Sequence, residues 1–151
     1  DNGRTYCPDA SVDLIVSDYV FEHIDDVSTF YQEVDRILKP GGWLCARTPH
    51  KYSYVALLSA LVSNNYHTNL LKYLQPNRKE IDVFPTKYLL NTNRSITCAF
   101  SKWKNKSFIY KVEPAYYCEN PIIFAILSAI HAIMPRHFSG NIFVFLQKPG
   151  S

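Results

Sequence analysis

The sequence predicts an α/β fold, and two features between Asp13 and Thr48 indicate it. The first is a pair of short apolar runs at residues 14–16 and 43–46, each suited to a strand buried on both faces. The second is a helical spacing of apolar residues between the two runs. A strand, a helix and a strand of this length form a right-handed βαβ unit. We therefore expect a ligand site beyond the carboxyl ends of the strands, at residues 17–23.

The crossover helix is predicted to begin at Asp25 or Asp26, since either side chain can cap a helix. Its apolar residues recur three or four positions apart, at Val27, Phe30, Val34 and Ile37. Pro40 cannot continue the helix, and Gly41-Gly42 supplies the permissive backbone for a turn into the second strand.

The later elements are predicted from shorter patterns. Residues 52–62 and 94–102 have helical spacing, and residues 107–112 suit a strand that Pro114 limits to a sheet edge. Residues 141–147 have strong β character. Residues 64–93 have weak periodicity, which predicts an irregular insertion.

Residues 121–134 form an almost wholly apolar run between two prolines. A helix that spans a bilayer needs about 20 residues, so this run is too short to cross one. The pattern predicts a helix that covers the substrate entrance or contacts a membrane.

A chain of 151 residues with 47% hydrophobic content can bury one sizeable core, so one globular unit is expected, and its net charge of +3 is too small to indicate a nucleic-acid binder. The charges are unevenly distributed. Residues 1–40 contain nine acids and three bases, whereas residues 72–111 contain nine bases and two acids. The basic half suits an anionic substrate or a membrane surface, and a solvated basic face is the alternative.

The four cysteines are widely spread, without a C-x-x-C pair, and the five histidines lack metal-ligand spacing. Reduced thiols in a cytoplasmic protein are the simplest interpretation, and no metal site is predicted. Cys45 and Cys98 are expected to be packing residues. The first ten residues contain no apolar region typical of a secretory signal.

Two segments carry a resemblance to a known family: DLIVSDYVFEHI from Asp13 and EVDRILKPGGWL from Glu33. They resemble the second half of class I S-adenosylmethionine-dependent methyltransferases of the small-molecule type. The preceding DNGRTYCPDASVDLIV is similar to that family's acidic residue, LPF-x-D-x-S-F-D segment and strand. Tyr6, Cys7 and Val12 depart from the usual Pro, Phe and Phe, and these departures change packing more than chemistry.

The resemblance implies the C-terminal half of a Rossmann-like sheet with helices on both faces, and a substrate cap inserted at residues 64–93. It also implies that residues 141–147 form the last strand, antiparallel between its neighbours. Class I methyltransferase domains are longer than this chain, and the sequence contains no G-x-G-x-G-like run. Residues 1–151 are therefore expected to be a partial domain without the first strands and the glycine-rich cofactor loop. A shortened, non-catalytic relative is the alternative.

The resemblance further implies the residues that bind the cofactor, S-adenosylmethionine. Asp1, with Asn2, falls where the family has an acidic residue near the adenine, whose amine is a donor that a carboxylate accepts. Ser17, Asp18 and Tyr19 end the first strand and are expected to border the methionine and adenosine moieties.

Methyl transfer requires in-line alignment, and also a base if the acceptor must lose a proton. Histidine titrates near neutral pH, so His23 is the predicted base, and Glu22 is a second candidate if it is desolvated. A structural role for His23 under the following helix is the alternative. Substrate contacts are assigned to three residues that follow the second strand or lie in the cap: His50, Tyr52 and His67.

The predicted function is methyl transfer to a small-molecule acceptor, with a sugar or a lipid-linked intermediate among the candidates. The alternative is a non-catalytic binding or scaffolding module. We expect a cytoplasmic protein with peripheral membrane contact through residues 121–134. A nucleic-acid acceptor is not expected, because Ser-Asp-Tyr-Val after the first strand differs from the Pro-Pro-Tyr type that holds a flipped base.

Overall fold

The computed structural model describes residues 4–54, 56–57, 86–112, 114 and 120–150. In chain order the elements are β1 (Val12–Asp18), a 3₁₀ turn (Phe21–His23), α1 (Val27–Ile37), β2 (Leu38–Pro49), α2 (Asn93–Ala99), β3 (Lys104–Asn105), β4 (Phe108–Lys111), α3 (Pro121–Ile133), α4 (Arg136–Ser139) and β5 (Gly140–Gln147). Tyr54, Ala56 and Leu57 are also helical, and residues 58–62 of that predicted helix lie outside the described residues.

The strands form one mixed sheet in the order β1, β2, β5, with β3 and β4 both paired to the far side of β5. The pairing of β1 with β2 is parallel and aligns Ile15 with Leu44. The pairing of β2 with β5 is antiparallel and aligns Leu44 with Leu146. The predicted βαβ unit and the antiparallel position of the last strand between its neighbours are both confirmed.

The crossover helix α1 begins where the sequence indicates. The Asp26 carboxylate accepts hydrogen bonds from the Thr29 backbone N–H at 3.0 Å and from its hydroxyl at 2.6 Å. The end of α1 differs from the prediction, because β2 begins at Leu38, directly after the helix. The pairing register shifts between Val12 and Leu14, and Gly41 has a φ of +78°. That left-handed residue lets the strand take up the Lys-Pro-Gly-Gly segment that the sequence indicates as a turn.

The core lies on the face of the sheet that α1 and α2 cover. Its buried residues include Leu44 and Ala46 of β2, Val34 of α1 and Ile96 of α2. Aromatic rings join the two helices: the ring centroids of Tyr31 and Phe100 are 5.3 Å apart, in an edge-to-face arrangement.

Two predicted burials are wrong. The run at residues 14–16 was expected to be buried on both faces, but Leu14 is 52% exposed and Val16 72% exposed. The pleat directs both side chains to a face that no described element covers, while Ile15 packs on the core. Cys98 was expected to be a packing residue and is exposed. Ile96 and Phe100 of the same segment face the core. Cys98 lies two positions from each of them, so its side chain is on the opposite face of the helix.

Candidate active site

The carboxyl ends of the two parallel strands lie side by side. Asp18, the last residue of β1, is paired in register with Arg47 of β2. The next residue continues the contact, since the Tyr19 N–H donates to the Arg47 carbonyl at 2.8 Å. We name the residues around these ends, 17–23 and 47–52, the strand-end site. It occupies the place where open α/β sheets bind their ligands.

An ion pair joins the two strands at the site. The Arg47 guanidinium donates to both Asp18 carboxylate oxygens, each at 2.7 Å. It also lies over the Tyr19 ring, 4.7 Å from the ring centroid. Hydrogen bonds from Arg47 hold the pKa of the Asp18 carboxyl below its usual value. Both side chains are about half exposed, so this charged pair is accessible to a ligand.

Tyr19 turns the chain away from β1. Its φ of +52° is left-handed, a conformation that costs a non-glycine residue roughly 1–2 kcal/mol. Contacts at both ends of the residue hold it there: the backbone bond to Arg47, and a hydrogen bond at 2.7 Å from the Asn141 side-chain amide to the phenol oxygen. The turn therefore links the end of β1 to the start of β5.

A buried polar network lies beneath this turn. Thr48 is fully buried, and its hydroxyl donates to the Glu22 carboxylate at 2.8 Å. The Asn91 side-chain amide donates to the same hydroxyl at 2.6 Å and to the Pro49 carbonyl at 3.0 Å. Three polar side chains from three separate segments thus satisfy one another in the core.

Residues 87–91, which precede α2, are hydrogen-bonded to the segments that form the network. The Lys87 and Tyr88 N–H groups donate to the Glu22 carbonyl at 2.6 and 3.2 Å, and the Lys51 N–H donates to the Asn91 carbonyl at 2.8 Å. The Asn91 side-chain oxygen is buried and has no hydrogen-bond partner among the described residues. This oxygen could accept a further hydrogen bond, whereas the Asn91 amide nitrogen and the Thr48 hydroxyl already form theirs.

His50 follows β2 and is 5% exposed. Its Nδ1 accepts from the Tyr52 N–H at 3.2 Å, and its ring lies 6.2 Å from that of His137. Burial lowers the pKa of His50, and the nearby His137 lowers it further, although a hydrogen bond with the His137 backbone acts in the opposite direction. The lowered pKa favours the neutral form of the His50 imidazole, which positions the backbone of Tyr52, whose side chain is half exposed.

The strand-end site brings together most of the residues that the sequence predicts. Ser17, Asp18, Tyr19, Glu22, His23, His50 and Tyr52 all lie at the ends of β1 and β2 or directly after them. Asp1, Asn2 and His67 lie outside the described residues. The roles of all ten residues stay predictions. Among the described residues, no group of three or more His, Cys, Asp or Glu side chains is placed to hold a metal ion.

The two predicted catalytic residues lie in different surroundings. The Glu22 side chain is 5% exposed, so the condition of desolvation under which it is a candidate base is met, and its carboxylate accepts a hydrogen bond from the Thr48 hydroxyl. His23 is half-buried at the end of the 3₁₀ turn, and its N–H donates to the Val20 carbonyl at 2.9 Å. Sequence reasoning missed Thr48 and Asn91. Neither stands in a motif, and a hydrogen bond across 43 residues leaves no local signal.

Comparison with known sequences supports the predicted resemblance. The sequence model of a family described as "Methyltransferase domain" matches residues 3–46. A protein of Mycolicibacterium smegmatis named a probable S-adenosylmethionine-dependent methyltransferase is 43% identical over 47 residues. A protein of Mycobacterium tuberculosis with a similar name is 40% identical over 47 residues. These matches cover 31% of this chain, and 18% and 17% of the two relatives.

Comparison with solved structures confirms the fold. A structure described as the complex between the Haloferax volcanii Trm112 methyltransferase activator and "the putative methyltransferase" aligns with a TM-score of 0.56 and 17% identity, over 100% of this chain and 60% of that one. A protein of Thermotoga maritima, described as a possible histamine N-methyltransferase, aligns with a TM-score of 0.56 and 12% identity, over 97% of this chain and 61% of that one. In sequence over residues 3–46, and in fold over nearly all of its length, the chain is similar to S-adenosylmethionine-dependent methyltransferases, as predicted.

Proposed function

We propose that the strand-end site takes part in methyl transfer from S-adenosylmethionine to a small-molecule acceptor. One observation supports this most directly. The residues matched by the methyltransferase family, 3–46, are those that form β1, the strand-end loop, α1 and most of β2. The resemblance therefore falls on the elements that build the site.

The described side chains suit part of the donor. S-adenosylmethionine supplies a methyl group on a sulfonium, and it also carries a zwitterionic amino-acid group and an aromatic base. The exposed Asp18–Arg47 pair offers charges of both signs, and the 42% exposed Tyr19 offers a ring face. Ser17, Asp18 and Tyr19 would border the donor, with Asp1 and Asn2 near its adenine.

The acceptor side is assigned to the residues that follow the two strand ends. His23 would remove the acceptor proton, because histidine exchanges protons near neutral pH. Tyr52 would contact the acceptor, held in place by the buried His50, and His67 would contribute from the cap at residues 64–93. An oxygen, nitrogen or carbon of a small molecule, with a sugar or a lipid-linked intermediate among the candidates, is the proposed acceptor.

A matched pair of variants tests the donor site in the natural polypeptide that carries this sequence. Asp18 and Asp13 lie on the same strand, and each forms an exposed ion pair, with Arg47 and Lys39 respectively. Only Asp18 lies at the carboxyl end of the strand. Asp18→Asn should weaken S-adenosylmethionine binding, measured by titration calorimetry, by roughly tenfold, because a hydrogen bond to a charged group contributes about 1.5–3 kcal/mol.

The control, Asp13→Asn, should leave donor affinity unchanged. Equal effects of the two substitutions would contradict the placement of the donor at the strand-end site.

Transfer of a radiolabelled methyl group to a panel of hydroxyl and amine acceptors tests the activity itself. Donor binding without transfer to any acceptor of the panel would support the alternative, a non-catalytic binding module.

A further inference from the structure

Helix α3 is attached to the rest of the protein along one narrow side. His131 is its buried residue, with a ring nitrogen 3.1 Å from the Val112 carbonyl and a ring centroid 5.1 Å from that of Tyr54. The Lys111 ammonium donates to the Ala132 carbonyl at 3.0 Å and so stabilises the carboxyl end of the helix. These contacts fix which side of α3 faces outward.

The outward side of α3 is its more apolar side. Successive residues of a helix are rotated by about 100°, so Ile122, Ile126 and Ile133 lie roughly opposite His131. They are 70%, 57% and 86% exposed. Residues on the His131 side, such as Phe124 and Leu127, are partly buried. This order is the reverse of a surface helix on a soluble protein, which directs its apolar stripe to the core.

The dimensions of α3 suit a helix that lies on a bilayer. It has 13 residues and no charged side chain. At 1.5 Å per residue its length is about 20 Å, below the roughly 30 Å of a bilayer core. None of the described helices is long and apolar enough to cross a membrane. An exposed apolar face of this kind marks a site of contact with a membrane or with another protein.

Basic residues outnumber acidic ones in the part of the sequence that contains α3. Residues 86–150 include eight lysines and arginines and two acids, Glu113 and Glu119, which lie outside the described residues. Lys111 lies beside the carboxyl end of α3, and the exposed Arg136 follows it in α4. All the described acidic residues lie between residues 4 and 54. Eight bases against two acids give this part of the sequence a net charge of +6, which is complementary to an anionic surface.

We propose that α3 docks the protein on an anionic phospholipid bilayer. Ile122, Ile126 and Ile133 enter the boundary between headgroups and acyl chains, while Arg136 and neighbouring bases contact the lipid phosphates. The proposal does not depend on methyl transfer.

Co-sedimentation of the chain with phospholipid vesicles tests the proposal. The chain should bind vesicles of phosphatidylcholine and phosphatidylserine in equal amounts, and bind pure phosphatidylcholine more weakly. Ile122→Asp/Ile126→Asp should reduce binding by roughly a hundredfold or more, since two isoleucines no longer enter the bilayer. The fold of α3 should tolerate this change, because Ile122 lies in the first helical turn, where an acidic residue is favourable. Arg136→Gln should reduce binding about fivefold and weaken its dependence on salt.

The matched control is Leu14→Asp/Val16→Asp, which makes the same change at two exposed aliphatic residues of β1. This control should bind vesicles as the unchanged chain does. The proposal is overturned if the two double variants lose binding equally. It is also overturned if the chain binds pure phosphatidylcholine vesicles as strongly as the mixed vesicles and if salt does not change that binding. Sedimentation velocity measures whether the chain associates with itself. If it does, if Ile122→Asp/Ile126→Asp abolishes that association and if the chain does not bind vesicles, α3 forms a contact between copies and the proposal is overturned. Circular dichroism verifies the folding of each variant, and if the α3 double variant does not fold, Arg136→Gln and the lipid comparison decide.

Discussion

Replacing Thr48 by valine tests the buried network on which the strand-end site rests. Valine keeps the shape of threonine and removes its hydroxyl. The substitution takes one hydrogen bond from the buried Glu22 carboxylate and one acceptor from the Asn91 amide, at 2.8 and 2.6 Å respectively. A bond to a charged group contributes about 1.5–3 kcal/mol and a neutral one about 1 kcal/mol, so we expect a loss of about 3 kcal/mol in the free energy of unfolding.

Urea denaturation measures this loss. With a slope of about 2 kcal/mol per molar urea, the transition midpoint should fall by roughly 1.5 M. Thr29→Val is the matched control, because the Thr29 hydroxyl also donates to a carboxylate, that of Asp26, but on the protein surface. Its cost should stay below about 1 kcal/mol. If Thr48→Val destabilises the protein no more than Thr29→Val does, the network does not support the site.

Two further predictions concern histidines. His23→Ala should leave S-adenosylmethionine affinity nearly unchanged and slow methyl transfer by roughly 100- to 10,000-fold, measured in the natural polypeptide; an unchanged turnover number would assign His23 a structural role. The lowered pKa of His50 means that the unfolded chain binds a proton more readily than the folded one, so stability should be complete above about pH 6.5 and fall as the pH drops toward the pKa of folded His50. Urea denaturation at several pH values should show that His50→Asn removes this part of the pH dependence, and an unaltered dependence would contradict the assignment.

The parts of the fold that the sequence predicts are those encoded locally. Asp26 caps α1 three residues before its bonding partner, and the apolar spacing that follows specifies the helix in one continuous segment. The position of the last strand came from the family resemblance. Neither source predicted the start of β2, because a single left-handed glycine at residue 41 determines whether the Lys-Pro-Gly-Gly segment turns or joins the strand.

The strand-end site was located from the sequence, but its internal contacts were not. The ends of adjacent parallel strands must meet, and the structure pairs Asp18 at the end of β1 with Arg47 near the end of β2. The hydrogen bonds that a carboxylate accepts depend on residues distant in the chain. The Glu22 carboxylate accepts from the Thr48 hydroxyl, which in turn accepts from the Asn91 amide. Hydropathy misjudged Val16 for a related reason: it measures how apolar a residue is, not whether another element covers it.

The place of β5 in the sheet has a consequence for how the chain is synthesised. β2 ends at Pro49 and its antiparallel partner begins at Gly140, so about 90 residues separate the two edges that must pair. At roughly 5–20 residues per second, a ribosome extends the chain for about 5–20 seconds between them. During that interval β1, α1 and β2 are already available to form, with one side of β2 unpaired. An unpaired strand edge is a site of aggregation, so a chaperone that binds extended apolar segments would act on β2 before β5 emerges.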